Sequence, residues 1–232
     1  MWSDAGVGLC HPSVLAPEAK HADNRHSNQR SCVQDLDWTE LPGRLIVLSG
    51  ASGSGKSTLV KRLLEHPGLR LQVSISATTR PPRPGEESGR DYYFMSRSEF
   101  EAIRDTLLES AEVHGHSYGT PAQPVREALA RGVCVILVID VQGGFQVRAK
   151  VPSALLIFVQ TPSPEILETR LRSRGTDDEA TIKRRLANAV RELELSKGYD
   201  IHVVNDDLDR SVLELAEILA RNHCGGRQGY DR

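Results

Sequence analysis

Short runs of apolar residues alternate along the chain with stretches whose apolar positions recur every three or four residues. RLIVLS (44–49) ends at a glycine, and STLVKRLLEH (57–66) has helical spacing, which predicts a strand, a turn and a helix. LQVSI (71–75) predicts a second strand. VCVILVID (133–140) and ALLIFVQ (154–160) are continuous apolar runs, which are typical of central strands in a parallel sheet covered on both faces.

Two sequence patterns predict where helices begin in the middle of the chain. SRSE at residues 96–99 has the spacing of a capping box and would start a helix that contains Phe100, Ile103 and Leu107. TPAQ at residues 120–123 has the same spacing, with proline at the first helical position. We therefore expect a helix after each pattern.

The last third of the chain predicts a long helix, a strand and a final amphipathic helix. The long helix ends near Gly198, and one of its faces carries Ile182, Leu186, Ala189, Val190 and Leu193. HVVN predicts the strand, and the final helix surrounds Leu213, Leu215 and Leu219. Alternating strands and helices predict an α/β fold with a mostly parallel sheet flanked by helices.

The two ends of the chain lack this periodicity. Residues 1–40 mix Pro, Ser, Asn and Asp without an apolar repeat, so we predict a disordered N-terminal tail there. This segment contains His11, His21 and His26, which could bind a metal ion or could be scattered solvated side chains. We place the folded domain at residues 41–220 and a C-terminal tail at residues 221–232.

The composition restricts the class of protein. Of the 232 residues, 39% are hydrophobic, which is enough to bury one good core, and the formal net charge is -2. This charge gives no reason to expect nucleic acid or an anionic membrane as a partner, so an anion site requires a local concentration of cations. No apolar run approaches the roughly 20 residues that span a bilayer, and the first residues do not resemble a secretory signal.

The cysteines indicate a reducing compartment. They are widely spaced and form neither a CxxC pair nor a metal-ligand pattern, and they are Cys10, Cys32, Cys134 and Cys224. We therefore expect a cytoplasmic protein.

A glycine-rich loop after the first predicted strand points to a specific chemistry. GASGSGKS (50–57) matches the pattern GxxxxGK[ST] between a predicted strand and a predicted helix. Glycines let backbone N–H groups converge on phosphate oxygens, and the helix N-terminus adds partial positive charge. Lys56 would reach the β- and γ-phosphates, and the Ser57 hydroxyl would bind Mg²⁺. The predicted triphosphate site comprises Gly50, Ala51, Ser52, Gly53, Ser54, Gly55, Lys56, Ser57 and Thr58.

A segment rich in proline, arginine and tyrosine follows the second predicted strand. It reads SATTRPPRPGEESGRDYYF, and ESAEVHG and YGT come next. Further on, IDVQG, RLRSRGT, KRRL and VNDD appear in that order. The order and spacing of these motifs resemble those of guanylate kinases over about residues 42–219.

The resemblance implies a fold and an activity. It implies a P-loop nucleoside monophosphate kinase fold, with a GMP-binding insertion at about residues 74–123 and a short lid at about residues 173–183. The implied reaction transfers the γ-phosphoryl group of ATP to GMP or dGMP, with Mg²⁺, to give ADP and GDP. The implied protein is a monomer or small homo-oligomer that binds neither nucleic acid nor a membrane.

The resemblance assigns four side chains to the phosphate of GMP. Arg80 and Arg83 would face this phosphate, and the hydroxyls of Tyr92 and Tyr118 would donate to it from the sides. The assignment is physically reasonable, because a planar guanidinium matches phosphate geometry better than the point charge of a lysine.

Other residues are assigned to the guanine base. Glu109 would accept hydrogen bonds from the N1–H and the exocyclic amine, both of which are donors, with Ser76 and Thr120 completing base recognition. Asp140 is also assigned to the GMP site. The chain departs from the family pattern at Val138, where an acidic residue is common, and this departure removes a possible link to GMP or to the metal ion.

The lid supplies further cations. Arg170, Arg174 and Arg185 resemble the arginines that fold over the triphosphate, and with Lys56 and Arg80 they form the predicted catalytic set. Converging cations suit phosphoryl transfer, in which the protein mainly positions the reactants and neutralises charge. Asn205 would contact adenine.

Two rival functions remain open. A kinase of the same fold that phosphorylates a sugar phosphate is one, although it would not need Glu109 with Thr120. The other is a non-catalytic guanylate-kinase-like module that binds phosphorylated partners. Such modules typically have a degraded P-loop, whereas this chain retains Lys56. ADP production on addition of GMP would separate the three hypotheses.

Overall fold

The structure, a computed structural model, describes residues 33, 36–113, 115–173, 175 and 177–225. In chain order its strands are β1 (Leu45–Ser49), β2 (Leu71–Val73), β3 (Ala77–Thr78), β4 (Tyr93–Phe94), β5 (Leu107–Val113), β6 (His116–Pro121), β7 (Cys134–Val138), β8 (Leu155–Gln160) and β9 (Ile201–Val204). Its α-helices are α1 (Lys56–Leu64), α2 (Arg97–Ile103), α3 (Ala122–Ala130), α4 (Val141–Lys150), α5 (Pro164–Ser173), α6 (Glu179–Leu195) and α7 (Leu208–Leu219).

Five of the strands form a parallel sheet in the order β2-β7-β1-β8-β9. Every residue of the central strand β1 is buried, and the apolar runs of β7 and β8 pair with β1 on either side, with Ile46 opposite both Ile136 and Leu155. Continuous apolar strands are stable in this position because helices cover both faces of the sheet. The predicted α/β fold with a mostly parallel sheet is confirmed.

Two apolar clusters sit on opposite sides of this sheet. One cluster joins Val47 to α3 and α4, for example through Val125 and Val147. The other joins Ile46 to α1 and α7, for example through Leu59. Because adjacent residues of a strand point to opposite faces, the alternation of Ile46 and Val47 between the clusters follows from strand geometry. The rigid centre thus holds the ends of β1, β7 and β8 at one edge.

A smaller four-stranded sheet lies within the predicted insertion at residues 74–123. Its order is β4-β3-β6-β5, with antiparallel pairing of β5 with β6 and of β6 with β3, and parallel pairing of β3 with β4. Phe100 of α2 and Leu107 are buried beneath it with Ala77. Strand β5 also packs against α4, which joins the insertion to the central sheet.

The two predicted capping boxes had different outcomes. The Ser96 hydroxyl accepts from the Glu99 N–H and the Glu99 carboxylate accepts from the Ser96 N–H, so the first box is confirmed. Its helix is shorter than predicted, because a 3₁₀ turn follows α2 and Leu107 begins β5. The second box is wrong: α3 starts without a side-chain cap, and the Thr120 hydroxyl bonds elsewhere.

Helix α6 was predicted with the right span but with too broad a buried face. Ile182 is buried, and Leu186 and Ala189 pack partly against α5, whereas Val190 and Leu193 are exposed. The reason is that α6 packs mainly against α5 within the described part of the chain, so that only a narrow stripe is covered. On α7, Leu215 and Leu219 are buried as expected, but Leu213 is exposed.

The folded body extends beyond both predicted domain boundaries. Val33 and Trp38 are buried in the same cluster as Val47, so the prediction of a disordered tail through residue 40 is wrong at its C-terminal end. At the other end, Cys224 is buried and Gly225 bridges to Leu69, so the folded body continues past the predicted boundary at residue 220. His11, His21 and His26 lie outside the described residues. Over the part of the chain that the structure describes, none of the helices is long and apolar enough to cross a membrane.

Candidate active site

The glycine-rich loop connects the end of β1 to the start of α1. Gly55 is the N-cap of α1 with a φ of 96°, and a Cβ placed there would lie 2.2 Å from the Asn205 Nδ2. A Cβ on Gly50 would lie 2.1 Å from the carbonyl oxygen of Val159 on β8. Both positions therefore require glycine, because a side chain would collide with fixed neighbours. The loop is the predicted P-loop, built in the predicted context.

The N-terminus of α1 is free to receive an anion. No side chain caps it, and its first turn contains no acidic residue. The first backbone N–H groups of a helix lack intrahelical partners and carry partial positive charge. Ser57 and Thr58 are exposed on this turn. The arrangement favours a phosphate at the helix end.

Lys56 folds back over the loop. Its Nζ donates to the carbonyl oxygens of Gly50 and Ala51, the second at 3.0 Å. Beneath it, the Ser54 hydroxyl is buried, and it has no hydrogen-bond partner among the described residues. The ammonium thus already lies across the loop that the sequence predicts to surround the phosphates.

A buried asparagine supports the loop from behind. Asn205 is 4% exposed, and its side-chain amide donates to the Ser54 carbonyl oxygen at 2.7 Å. The Arg170 guanidinium donates to the Asn205 carbonyl oxygen at 2.9 Å and so lies beside the loop. This supporting role of Asn205 was not predicted. Its contact with adenine stays a prediction.

One lid arginine reaches the tip of the loop. The Arg185 guanidinium donates to the Ser52 hydroxyl at 3.2 Å and pairs with the Asp177 carboxylate at 3.0 Å. Asp177 is nearly buried and therefore fixes the direction of Arg185. Arg174 lies outside the described residues, so only Arg170 and Arg185 of the predicted lid cations are seen near the P-loop.

A second group of cations lies in the insertion. Glu86 holds Arg80 through two hydrogen bonds of 3.0 Å, and it accepts the Arg83 N–H at 2.7 Å. The carboxylate raises the pKa of Arg80 above its ordinary value, mainly through these side-chain bonds, so the guanidinium stays charged. Glu86 was not predicted as a functional residue. Its spacing from Arg80, inside a proline-rich turn, was the available signal.

Aromatic rings surround the Arg80 guanidinium. Its central carbon lies 5.5 Å from the Tyr92 ring centroid and 5.7 Å from that of Phe94. The Tyr118 ring meets the Tyr92 ring edge-on at 6.1 Å. Cation–π contacts of this kind fix a planar guanidinium without using up all of its N–H donors. Arg80, Tyr92 and Tyr118 are therefore brought together, and their contact with the GMP phosphate stays a prediction.

A buried carboxylate forms the other end of this group. Glu109 is 4% exposed, and its Oε1 accepts the Thr120 hydroxyl at 2.7 Å. This bond is why Thr120 does not cap α3. Burial raises the pKa of Glu109 above its ordinary range, and the nearby Asp140 raises it further, against the lowering effect of Thr120. An acceptor that is costly to keep ionised is suited to a ligand that brings its own donors.

The carboxylate is linked to the P-loop through the start of α4. A Cβ on Gly143 would lie 3.2 Å from the Glu109 Oε2 and 3.3 Å from the Asp140 Oδ1. Asp140 is the N-cap of α4 and accepts the Gly143 N–H at 2.7 Å. The Ser49 hydroxyl, at the end of β1, donates to the Asp140 carbonyl oxygen at 3.2 Å. A short chain of contacts thus connects the two halves of the candidate site.

Two other predicted positions lie at the edges of this arrangement. Ser76 is partly buried at the entry to β3, and its carbonyl oxygen accepts the Tyr93 N–H at 2.9 Å. Val138 ends β7 with 37% of its surface exposed. The side chain that departs from the family pattern is therefore near the cleft and is not packed in the core.

Comparisons with known proteins agree on one family. The family model described as guanylate kinase matches residues 42–222. Over 179 residues, 76% of this chain and 86% of the relative, the chain is 54% identical to a guanylate kinase of Gloeobacter violaceus. Over 180 residues, 76% of this chain and 93% of the relative, it is 52% identical to a guanylate kinase of Thermosynechococcus vestitus. A crystal structure of guanylate kinase from Anaplasma phagocytophilum matches with a TM-score of 0.62 and 33% identity, covering 78% of this chain and 86% of that chain.

Proposed function

The chain belongs to the guanylate kinase family, and we propose that the side chains described above carry its reaction in the roles that follow. The protein is a kinase that transfers the γ-phosphoryl group of ATP to GMP, giving ADP and GDP. The residue assignments rest on one combination of features. The N-terminus of α1 is uncapped and follows the glycine-rich loop, the Glu109 carboxylate is buried, and Glu86 fixes the Arg80 guanidinium.

We assign the triphosphate to the P-loop. The N–H groups at the start of α1 would bind phosphate oxygens, and Lys56, Arg170 and Arg185 would neutralise the charge that develops during transfer. This role is supported by their positions around the loop. In phosphoryl transfer the protein contributes mainly positioning and electrostatic stabilisation, so no nucleophilic side chain is required. Arg174 would join this set.

We assign GMP to the insertion. Arg80 and Arg83, with the hydroxyls of Tyr92 and Tyr118, would bind its phosphate. The assignment is supported by the rigid setting of Arg80 between Glu86 and two aromatic rings. A fixed guanidinium loses little conformational entropy when the phosphate binds.

The base is assigned to Glu109. Guanine presents two donors on its Watson–Crick edge, and the buried carboxylate presents two acceptor oxygens, one of which is already oriented by Thr120. Ser76 would complete base recognition. This donor–acceptor match is also the feature that distinguishes a GMP kinase from a kinase of a sugar phosphate.

A divalent cation would be held near Ser57. The Ser57 hydroxyl is exposed at the start of α1 and the Asp140 carboxylate is exposed at the N-terminus of α4, and such hard oxygen donors fit Mg²⁺. Bound Mg²⁺ supplies charge neutralisation on the β- and γ-phosphates. The protein itself orients the two nucleotides and excludes water.

The domain and cellular assignments are further parts of the proposal. We propose that the insertion at residues 74–123 and the lid at residues 173–183 close over the two nucleotides, which would keep water from competing as acceptor. We propose a cytoplasmic monomer or small homo-oligomer that binds neither nucleic acid nor a membrane. The free thiols of Cys134 and Cys224 support a reducing compartment.

The test is an assay that couples ADP production to addition of GMP. We expect ADP release that depends on GMP, and we expect Lys56→Ala to abolish it while the protein stays folded. The alternative, a non-catalytic binding module, predicts GMP binding without ADP release. Folding of the variant is checked by circular dichroism, so that loss of turnover cannot be attributed to unfolding.

A further inference from the structure

Helix α6 directs one carboxylate into the site, and none of the roles above uses it. The Oε2 of Glu192 is buried, and it has no hydrogen-bond partner within the described part of the chain. A buried polar atom without a partner costs free energy, and a carboxylate costs more than a neutral group. The fold therefore retains an unfavourable group in the ligand-free protein, and the natural explanation is a partner that arrives with the ligand.

The surroundings of Glu192 indicate what kind of partner this is. The carboxylate lines a cavity of about 260 Å³ with Asp140 and Gln142 at the start of α4, and with Asn188 and Arg191 of its own helix. Such a volume has room for several water molecules. The Glu192 carboxylate faces the start of α4 across this cavity, and burial raises its pKa, an effect that the charge of Lys56 opposes and the charge of Asp140 increases.

We propose that Glu192 is a specificity-determining positioning residue: with Asp140 it favours the divalent-cation complex of the nucleoside triphosphate over the metal-free nucleotide. It would act through water in the cavity, without touching the phosphates. The proposal rests on the proposed binding of ATP and a divalent cation at the P-loop. It adds a residue that neither the sequence motifs nor the roles above assign.

The physical argument is one of charge. Two carboxylates at one wall of a phosphate site repel a metal-free triphosphate and attract a cation that neutralises it. Mg²⁺ keeps several of its waters when it binds to proteins, and these waters are the donors that an unpaired carboxylate oxygen needs. Arg191 also lines the cavity; both Arg191 and Asp140 are exposed, so solvent screens part of their charge, whereas the Oε2 of Glu192 is buried.

The test measures ATP binding in the absence of GMP, so that no turnover is involved. Equilibrium dialysis gives the dissociation constant of ATP with excess Mg²⁺ and with EDTA, for wild type, Glu192→Gln and Glu192→Asp. The matched control is Glu194→Gln, which removes the same charge from the same helix at an exposed position paired with Lys197. Lys56→Ala reports separately on the P-loop.

We expect Glu192→Gln to bind metal-free ATP about three- to tenfold more tightly than wild type, because a repulsive charge has been removed. We also expect it to need a higher Mg²⁺ concentration for half-maximal binding. Glu192→Asp, which keeps the charge, should retain most of the preference for the metal complex, and Glu194→Gln should behave as wild type. A merely structural role for Glu192 would weaken both forms of binding equally.

Three results overturn the inference: an equal loss for both ATP forms, no change in Glu192→Gln, or the same change in the Gln and Asp variants. Failure of the proposed function looks different. In that case wild type would show no preference for the metal complex, or Lys56→Ala would bind ATP as wild type does. The two failures are therefore distinguishable within one set of measurements.

Discussion

Replacing Glu109 tests the base assignment most directly. The carboxylate is 4% exposed, with one oxygen bound to Thr120 at 2.7 Å and the other beside the start of α4. Glu109→Gln keeps the size and the possible bond with Thr120, but it turns one acceptor into an N–H₂ donor. Glu109→Ala removes both acceptors. If guanine binds here, the first variant loses one hydrogen bond to the base and the second loses two.

The magnitude follows from the type of bond. A hydrogen bond to a charged group contributes about 1.5–3 kcal/mol. Loss of one such bond corresponds to a decrease of about 10- to 150-fold in kcat/KM for GMP, since about 1.4 kcal/mol is a factor of ten. We therefore expect this decrease for Glu109→Gln and a larger one for Glu109→Ala. AMP presents an acceptor at N1 and never had these bonds, so its poor use should change little.

The assay compares kcat/KM for GMP and AMP by coupled ADP production. Glu112→Gln is the matched control, because Glu112 lies on the same strand β5 with an exposed side chain and a 3.7 Å contact to Arg97. We expect the ratio of GMP to AMP use to fall only in the Glu109 variants. A folded Glu109→Gln that keeps the wild-type ratio would refute the assignment of Glu109 to the base.

Glu109→Gln should lower activity toward GMP but raise the thermal stability of the ligand-free protein at high pH. Burial raises the pKa of Glu109 in the folded protein, so the folded state binds more protons than the unfolded state as pH rises above the unfolded pKa. Its stabilising contribution is complete below the unfolded pKa, about 4.3, and is lost as pH rises through the folded pKa. Without ligand, Glu109→Gln should thus melt above wild type at pH 8, with the difference shrinking toward pH 4. Equal melting temperatures at both pH values would contradict this reasoning.

Four further predictions concern other parts of the molecule. Glu86→Gln should raise the KM for GMP by about tenfold with a smaller change in kcat, because it loosens Arg80; an unchanged KM would show that Arg80 needs no support. Val138→Asp should leave the melting temperature within a few degrees of wild type, since the side chain is 37% exposed; unfolding would identify it as a packing residue instead. Trp38→Ala should lower the free energy of unfolding in chemical denaturation by about 3–5 kcal/mol. Removal of residues 1–30 should leave the free energy of unfolding close to that of wild type and the turnover within a few-fold of it.

Several elements of the fold could be predicted because their sequence signals are local. The strands β1, β7 and β8 are continuous apolar runs, and the P-loop combines a fixed spacing with a strand and a helix. The strands β3 and β4 could not be predicted by periodicity, because each has only two residues. Strand β3 pairs with β4 and with β6, and β6 is distant in the sequence.

The errors share a physical cause, which is competition from tertiary contacts. Thr120 has the local sequence of a helix cap, but a buried carboxylate is a stronger acceptor for its hydroxyl than solvent, so the cap is lost. Trp38 lies in a stretch without periodicity, yet one large aromatic side chain can order a short segment against a core. Exposure of Val190 depends on how far α5 covers α6, which no local pattern encodes.

Motifs predict the residues of the site, but they could not predict the interactions that these residues make in the ligand-free protein. Lys56 bonds to the Gly50 and Ala51 carbonyl oxygens, and the Asn205 amide bonds to the Ser54 carbonyl oxygen. ATP binding must therefore exchange bonds within the loop for bonds to phosphate, and only the difference in free energy contributes to affinity. Each exchanged hydrogen bond is worth about 0.5–1.5 kcal/mol net. If the triphosphate binds here as proposed, the backbone N–H groups at the start of α1, which no side chain caps, are available to it without such an exchange.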